Sequence, residues 1–268
     1  MSERDCATRE SKPTHSTGVL IMNADDWGKD CNTTDQTLEC VRSRTVSSVS
    51  AMVFMEDSER AAVTSREHAI DTGLHLNLTT PFSGGSCPSK LKECQEKIAG
   101  YLLRHRLAQA MFHPGLTNEF EYVLKAQLDE FSRLYGAPPS RFDGHHHMHL
   151  CANVLSQGLL PFGTNVRRNF SFEAGEKSVW NRLYRRWVDS RLAKRHRLTG
   201  YFFSLGPIEP ENRLERIFSL ARECVVEVEA HPINRDEYCF LTGGGIDRLG
   251  SGVRVVPTSA VSWNSTSV

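Results

Sequence analysis

The chain has 268 residues, with 32 Lys and Arg balanced by 32 Asp and Glu. Apolar residues make up 39% and charged residues 24%, a soluble globular composition that excludes collagen, coiled coil and wholesale disorder. Zero formal net charge gives no global reason to expect nucleic acid or an anionic membrane as partner, and no apolar run approaches the roughly 18 residues of a membrane helix.

In chain order, residues 1–17 are polar and lack an apolar leader core. They are expected to form a disordered tail without a secretory signal. Gly18 to Asn23 is a short apolar run that predicts a buried strand, followed by a helix over 30–42. Val46 to Phe54 predicts a second strand and 57–69 a second helix. TGLHLNLT at 72–79 alternates with period two, which predicts a third strand with Leu74, Leu76 and Leu78 on one face and Gly73, His75 and Asn77 on the other. Residues 80–90 read as a loop, and two helical stretches follow. The second has a capping-box spacing at Asn118 and Glu121 and a stop at Gly136.

RFDGHHHMHL then predicts a strand and its exit. If HHHMH stays extended, His145, His147 and His149 share one face and His146 and Met148 take the other. A basic amphipathic helix over 176–198 carries eight Lys or Arg against two acids. Its stripe of Trp180, Leu183, Tyr184, Trp187, Val188 and Leu192 is expected to pack inward, leaving a solvated basic face rather than a nucleic-acid surface. A helix over 211–222, a strand over 224–232 and a short strand near Val253 to Val256 complete the fold. Strands and helices alternate without a linker or repeat, so one α/β domain with a parallel sheet is expected over 18–258, with 259–268 frayed. The eight cysteines form no CxxC pair. Free thiols in a reducing cytoplasm are expected, and a cysteine zinc site is disfavoured.

Four segments carry the chemistry: NADDWG (23–28), GLHLNLT (73–79), FDGHHHMH (142–149) and EVEAHP (227–232). Each is a strand or strand exit, and sites of α/β folds collect at the carboxyl ends of strands. Adjacent Asp25 and Asp26 repel unless a cation or shared proton relieves them. A lone strand histidine such as His75 is more often structural, and a strand-end histidine such as His231 is more often solvated. Four histidines in five residues, His145 to His149, invite a metal, and Asp143 could orient an imidazole from behind. Arg167 or Arg168 follows a loop and could face the site. Asp, His and His from three strands, with open positions left for water, describe a catalytic mononuclear metal site.

In these four motifs, in this order, the sequence resembles the YdjC-like carbohydrate deacetylase family. The resemblance implies a single-domain (β/α) barrel-like fold and one divalent metal ion, Mg2+ or Zn2+, held by Asp26, His75 and His145. It implies Asp25 as general base and His231 as general acid. Trp27, Asn77, His147, His149 and Arg167 are the substrate-binding candidates. The implied reaction is removal of acetyl from an N-acetylated sugar or glycoconjugate, and the resemblance is compatible with a homodimer. Two rival readings stay open. One is a glycosidase, disfavoured because adjacent Asp25 and Asp26 on a strand project to opposite sides instead of flanking a bond. The other is a metal- or sugar-binding protein without turnover.

Overall fold

The computed structural model describes residues 18–172 and 175–263. The expected disordered tail over 1–17 and the last part of the expected frayed end, 264–268, lie outside the described residues. Seven strands form one sheet: β1 (Val19–Trp27), β2 (Ser48–Ala51), β3 (Thr72–Leu76), β4 (Arg141–Gly144), β5 (Asn165–Val166), β6 (Tyr201–Ser204) and β7 (Val225–Ala230). Every pairing is parallel, and the spatial order is β5-β4-β3-β2-β1-β7-β6. The two edges bend toward each other. Val166 N–H donates to the Arg197 carbonyl at 3.0 Å, and Ser171 N–H donates to the Phe202 carbonyl at 2.8 Å. The parallel sheet that the alternation of strands and helices predicts is therefore curled into the barrel-like form that the resemblance implies.

Nine α-helices cover the outside: α1 (Cys31–Arg42), α2 (Ser58–Glu67), α3 (Ser89–Leu102), α4 (Thr117–Tyr135), α5 (Ala152–Gln157), α6 (Val179–Ala193), α7 (Asn212–Leu220), α8 (Arg235–Thr242) and α9 (Gly245–Leu249) among the described residues. Gly136 ends α4 in the left-handed conformation, φ 76°, as its position predicts. The capping box does not form. The 3-10 turn Pro114–Leu116 runs straight into α4, so the chain has no extended residue whose side chain could cap it.

Strand alternation sorts the side chains into two environments. Leu20, Met22, Ala24, Val49, Ala51, Leu74, Leu76, Phe142, Val226 and Val228 point outward into one core beneath the helices. The alternate positions point into the barrel, and above its floor they are polar: Asn23, Asp25, Ser48, Ser50, His75, Arg141, Asp143, Glu227 and Glu229, all buried. The floor is apolar. Val19 and Ile21 pack there with Val261, while Thr258 N–H donates to Ser48 Oγ at 3.0 Å. The tail thus plugs the amino-terminal end of the barrel and is still packed at Val261, the third residue of the expected frayed end.

One local expectation changes, and two elements go beyond what the sequence reading covered. Residues 253–256 contribute a single bridge, Leu20 to Val255, because the chain turns in to make the plug instead of extending the sheet. Tyr201–Ser204 is a full strand that its four residues, too few to display a period, did not announce. The glycine-rich stretch after EVEAHP separates two helices, α8 and α9.

Candidate active site

At the carboxyl end of β1 the pairing register slips between Ala24 and Trp27, and Asp26 takes φ 65°. Aspartate is among the few residues that enter this region readily. The kink cancels the expected alternation, and both carboxylates reach His75. Asp26 Oδ1 lies 3.4 Å from Nε2, and Asp25 Oδ2 lies 3.9 Å from Nδ1. The opposed projection expected of a regular strand is therefore absent. His75 comes from β3 and is fixed from behind by Asp143 of β4, whose Oδ1 is 2.8 Å from Nδ1. That contact assigns the ring proton to Nδ1 and leaves Nε2 facing Asp26.

His145 follows β4, but the histidine run is not extended. Residues His145–Leu150 form a 3-10 turn in which His146 (φ 53°) and His147 (φ 57°) are left-handed. Two consecutive non-glycine residues in that region carry strain of about 1–3 kcal/mol each, a burden tolerated where geometry serves a site. The turn separates the four imidazoles. His145 Nδ1 lies 2.9 Å from Asp26 Oδ1. His146 turns to Thr79 Oγ1 at 3.0 Å. His147 is partly exposed, with Nε2 3.6 Å from Glu229 Oε2 and its ring edge-on to Phe170. His149 is fully buried and donates from Nε2 to the Arg167 carbonyl at 3.0 Å.

Asp26, His75 and His145 each offer one ligand atom, all three within 4.8 Å of one another and all buried. Asp26 Oδ1 faces two imidazole nitrogens yet accepts no hydrogen bond, because no N–H points along either line. An unpaired carboxylate oxygen and two converging ring nitrogens fit a divalent cation, and this donor set leaves coordination positions open. Charge agrees with geometry. Burial works against a charged His75, but Asp25, Asp143 and Asp26 outweigh it and hold its pKa up at about 10. Burial likewise works against Asp26, and His145 and His75 pull it well below the usual carboxylate range. The cluster demands positive charge. Lys29 supplies part of it from the rim, with Nζ 3.0 Å from Asp26 Oδ2. A second group, Asp25, His75 and Asp143, also offers three ligand atoms this close. Its carboxylates, however, are already occupied by Arg167.

Arg167 is the interior hub. It donates to both oxygens of Asp25 at 2.7 and 2.8 Å and to Glu227 at 2.7 Å. It also lies 3.1 Å from Asp143 and 3.3 Å from Glu229, with Phe202 against its face. Burial opposes a charged Asp25, but Arg167 and His75 keep it below the usual range. Burial and the neighbouring Asp25 push Glu229 well above its ordinary value. Asp25 Oδ1 accepts from Arg167 and from Asn23 at 2.7 Å, whereas Oδ2 accepts from Arg167 alone, so Oδ2 keeps a lone pair free. Arg141, passing over Gly73, where a Cβ would come within 2.8 Å of its guanidinium, pairs with Asp143 and Ser50.

Four of the five substrate-binding candidates are buried. Trp27 has no exposed surface and donates from Nε1 to the Ala61 carbonyl. Asn77 is equally buried and folds the β3 exit by donating to the Thr80 carbonyl and accepting from the Thr79 and Thr80 amides. His149 and Arg167 are spent inside the barrel. Only His147 keeps an open edge. His231 sits at the exit of β7 beside the end of β1. Its N–H donates to Glu237 at 2.8 Å, and its half-buried imidazole is held by no side chain of the cluster. Sequence reasoning missed Lys29, Arg141, Glu227 and Glu229. The period-two polarity of EVE and of RFD was the available signal.

A barrel-like sheet with an Asp-His-His pocket at the carboxyl ends of its strands belongs to the general class of α/β proteins that gather their functional residues there. The sequence model of the YdjC-like protein family matches residues 19–237, and the chain belongs to that family. Among curated relatives, a chitooligosaccharide deacetylase from Serratia marcescens is 33% identical over 133 residues, which cover 49% of this chain and 51% of that protein. A carbohydrate deacetylase from Mus musculus is 29% identical over 153 residues, covering 56% of this chain and 49% of that protein. The matched part thus spans about half the length of these relatives. A candidate cellobiose-phosphate cleavage protein from Enterococcus faecalis shares the fold. It has a TM-score of 0.64 at 16% identity, over 91% of this chain and 99% of that one.

Proposed function

We propose that this chain is a metal-dependent hydrolase that removes the N-acetyl group from an N-acetylated amino sugar or glycoconjugate. One observation carries the reading: a buried Asp26-His75-His145 cluster stands beside a second carboxylate, Asp25, that keeps a free lone pair. Family membership and the names of the relatives support it. Two imidazoles and one carboxylate suit zinc better than magnesium by ligand softness.

Asp26, His75 and His145 would hold the cation, which would supply Lewis acidity toward water and the acetyl carbonyl. Asp143 keeps the His75 ring turned and its Nε2 bare. Asp25, ionised against Arg167, accepts the proton of the attacking water at Oδ2. His231, at the same end of the barrel, returns a proton to the departing amine. A glycosidase needs two carboxylates flanking the scissile bond, whereas here Asp25 and Asp26 both stand against one imidazole, 3.9 and 3.4 Å from its nitrogens.

The test is a product assay on a panel of N-acetylated sugars, with protein stripped by chelator and then restored with zinc, magnesium, cobalt or manganese. The expected result is free acetate that disappears on chelation and returns with metal. A new reducing end without acetate would overturn the reading in favour of glycoside cleavage.

A further inference from the structure

Helix α6 turns its apolar stripe outward, against the inward packing its pattern predicts. Trp180, Leu183, Tyr184 and Trp187 recur at helical spacing and are 81%, 48%, 42% and 57% exposed. Val179 and Phe162 lie exposed as well. The helix is nonetheless firmly seated. Val188 and Leu192 are buried, and Asp189 accepts from Arg168 and from the Asn169 amide and side chain. The inward face is complete without the aromatics, so the stripe is a separate surface. Isolated apolar residues on a surface need no explanation, but a contiguous aromatic patch marks an interaction site.

The charges around the patch share one sign. Asp189 is already paired, and Arg182, Arg186, Arg191, Lys194 and Arg195 have no carboxylate partner among the described residues. Arg191 lies over the Trp187 ring, 5.4 Å from its centroid. Beside Tyr184 and Trp187 opens a cavity of about 510 Å³, walled by Phe112, Val154 and Leu160 and edged by Arg191, Lys194 and Arg195. Neither Asp nor Glu lines it.

We propose that this face docks onto an anionic lipid surface. Charge complementarity chooses the occupant. Unpaired guanidinium and ammonium groups meet acidic headgroups, Trp and Tyr settle at the headgroup boundary, and Leu183, Val179 and Phe162 enter the acyl edge. The apolar cavity has room for part of an acyl chain. A second copy joined across a two-fold axis through this face would set its cations against their own images. A single-stranded nucleic acid would stack on the rings but gain nothing from the aliphatic side chains among them. No helix among the described residues is long and apolar enough to cross a membrane, so contact by this face would be peripheral.

The experiment is co-sedimentation of the full chain with vesicles of phosphatidylcholine alone, or with about a third phosphatidylglycerol. Binding is expected to be roughly tenfold stronger to the anionic vesicles, to weaken with salt, and to shift tryptophan fluorescence to the blue. The Trp180→Ala/Trp187→Ala double variant is expected to lose roughly tenfold in binding, and so is Arg186→Glu/Arg191→Glu. All four side chains lie on the outer part of the helix, and unchanged thermal unfolding would show that each variant folds. Equal binding to both vesicle types, no binding to either, or unaltered binding by the folded variants would overturn the proposal. So would tight binding of a single-stranded oligonucleotide without vesicle binding, or a dimer that the tryptophan variant dissolves.

Discussion

At the residue scale the site depends on neighbours far apart in sequence. Asp25 and Asp26 are adjacent, yet one is bound to Arg167, 142 residues away, and the other converges with His75 and His145. His149 shows what a buried imidazole contributes outside that pocket. Burial holds its pKa down at about 4 against an ordinary 6.5. The unfolded chain takes up this proton first, so the stabilisation is complete above pH 6.5 and lost as pH falls toward 4. The full difference is about 3 kcal/mol. Urea midpoints at pH 7.5 and pH 5 should therefore differ less for His149→Gln than for the parent, and an identical pH response would refute this. His75, Asp26 and His145 were legible because each stands in a short motif of polar residues at a strand end. The burial of Trp27 and Asn77 was not legible, because a place in a motif does not say which way a side chain turns. Arg167 was misread because its partners Asp25, Asp143, Glu227 and Glu229 come together only when the barrel closes.

At the element scale, period-two alternation located the site strands, and it failed where the backbone leaves the regular strand. The kink at Asp26 and the left-handed His146 and His147 arise from packing around the pocket, and none of the three is a glycine that would announce its positive φ. Gly144 is the hinge into that turn. A Cβ there would stand 3.0 Å from both the backbone nitrogen and the Cβ of His149. Gly144→Ala should displace the turn and the neighbouring His145. The expected outcome is a loss of about 1–3 kcal/mol in stability and weaker metal uptake, measured by thermal unfolding and by titration with metal. Helix α6 shows the opposite failure. Its apolar period was read correctly, but periodicity identifies a face and does not say which way the face turns. Only Val188 and Leu192 were needed against the barrel.

At the scale of the whole molecule, the barrel is layered. An apolar floor of Val19, Ile21 and Val261 lies under a polar column that ends in the Asp-His-His cluster. Alternating strands and helices made the parallel sheet legible, and the four motifs, through their family resemblance, its barrel-like curl. The closing tail was not, because Thr258 and Val261 find Ser48 and Ile21 across more than two hundred residues. Placing a charge in the floor should destabilise the fold while leaving the pocket's ligands in place. Val261→Asp is expected to cost about 3 kcal/mol, a fall in Tm of roughly 6–12 °C. The folded protein should keep its metal content, and a variant that melts like the parent would show that the plug does not hold the barrel.

The central claim is that Asp26, His75 and His145 hold one cation while Asp25, held by Arg167, acts as the base and not as a ligand. Metal content per chain after reconstitution tests it most directly, compared across the parent, Asp26→Asn, His75→Gln, His145→Gln and Asp25→Asn. The account predicts about one ion for the parent and for Asp25→Asn, and an ion lost or at least roughly tenfold more weakly held in the other three. Metal retained by the three ligand variants, or lost from Asp25→Asn as readily as from Asp26→Asn, would contradict it.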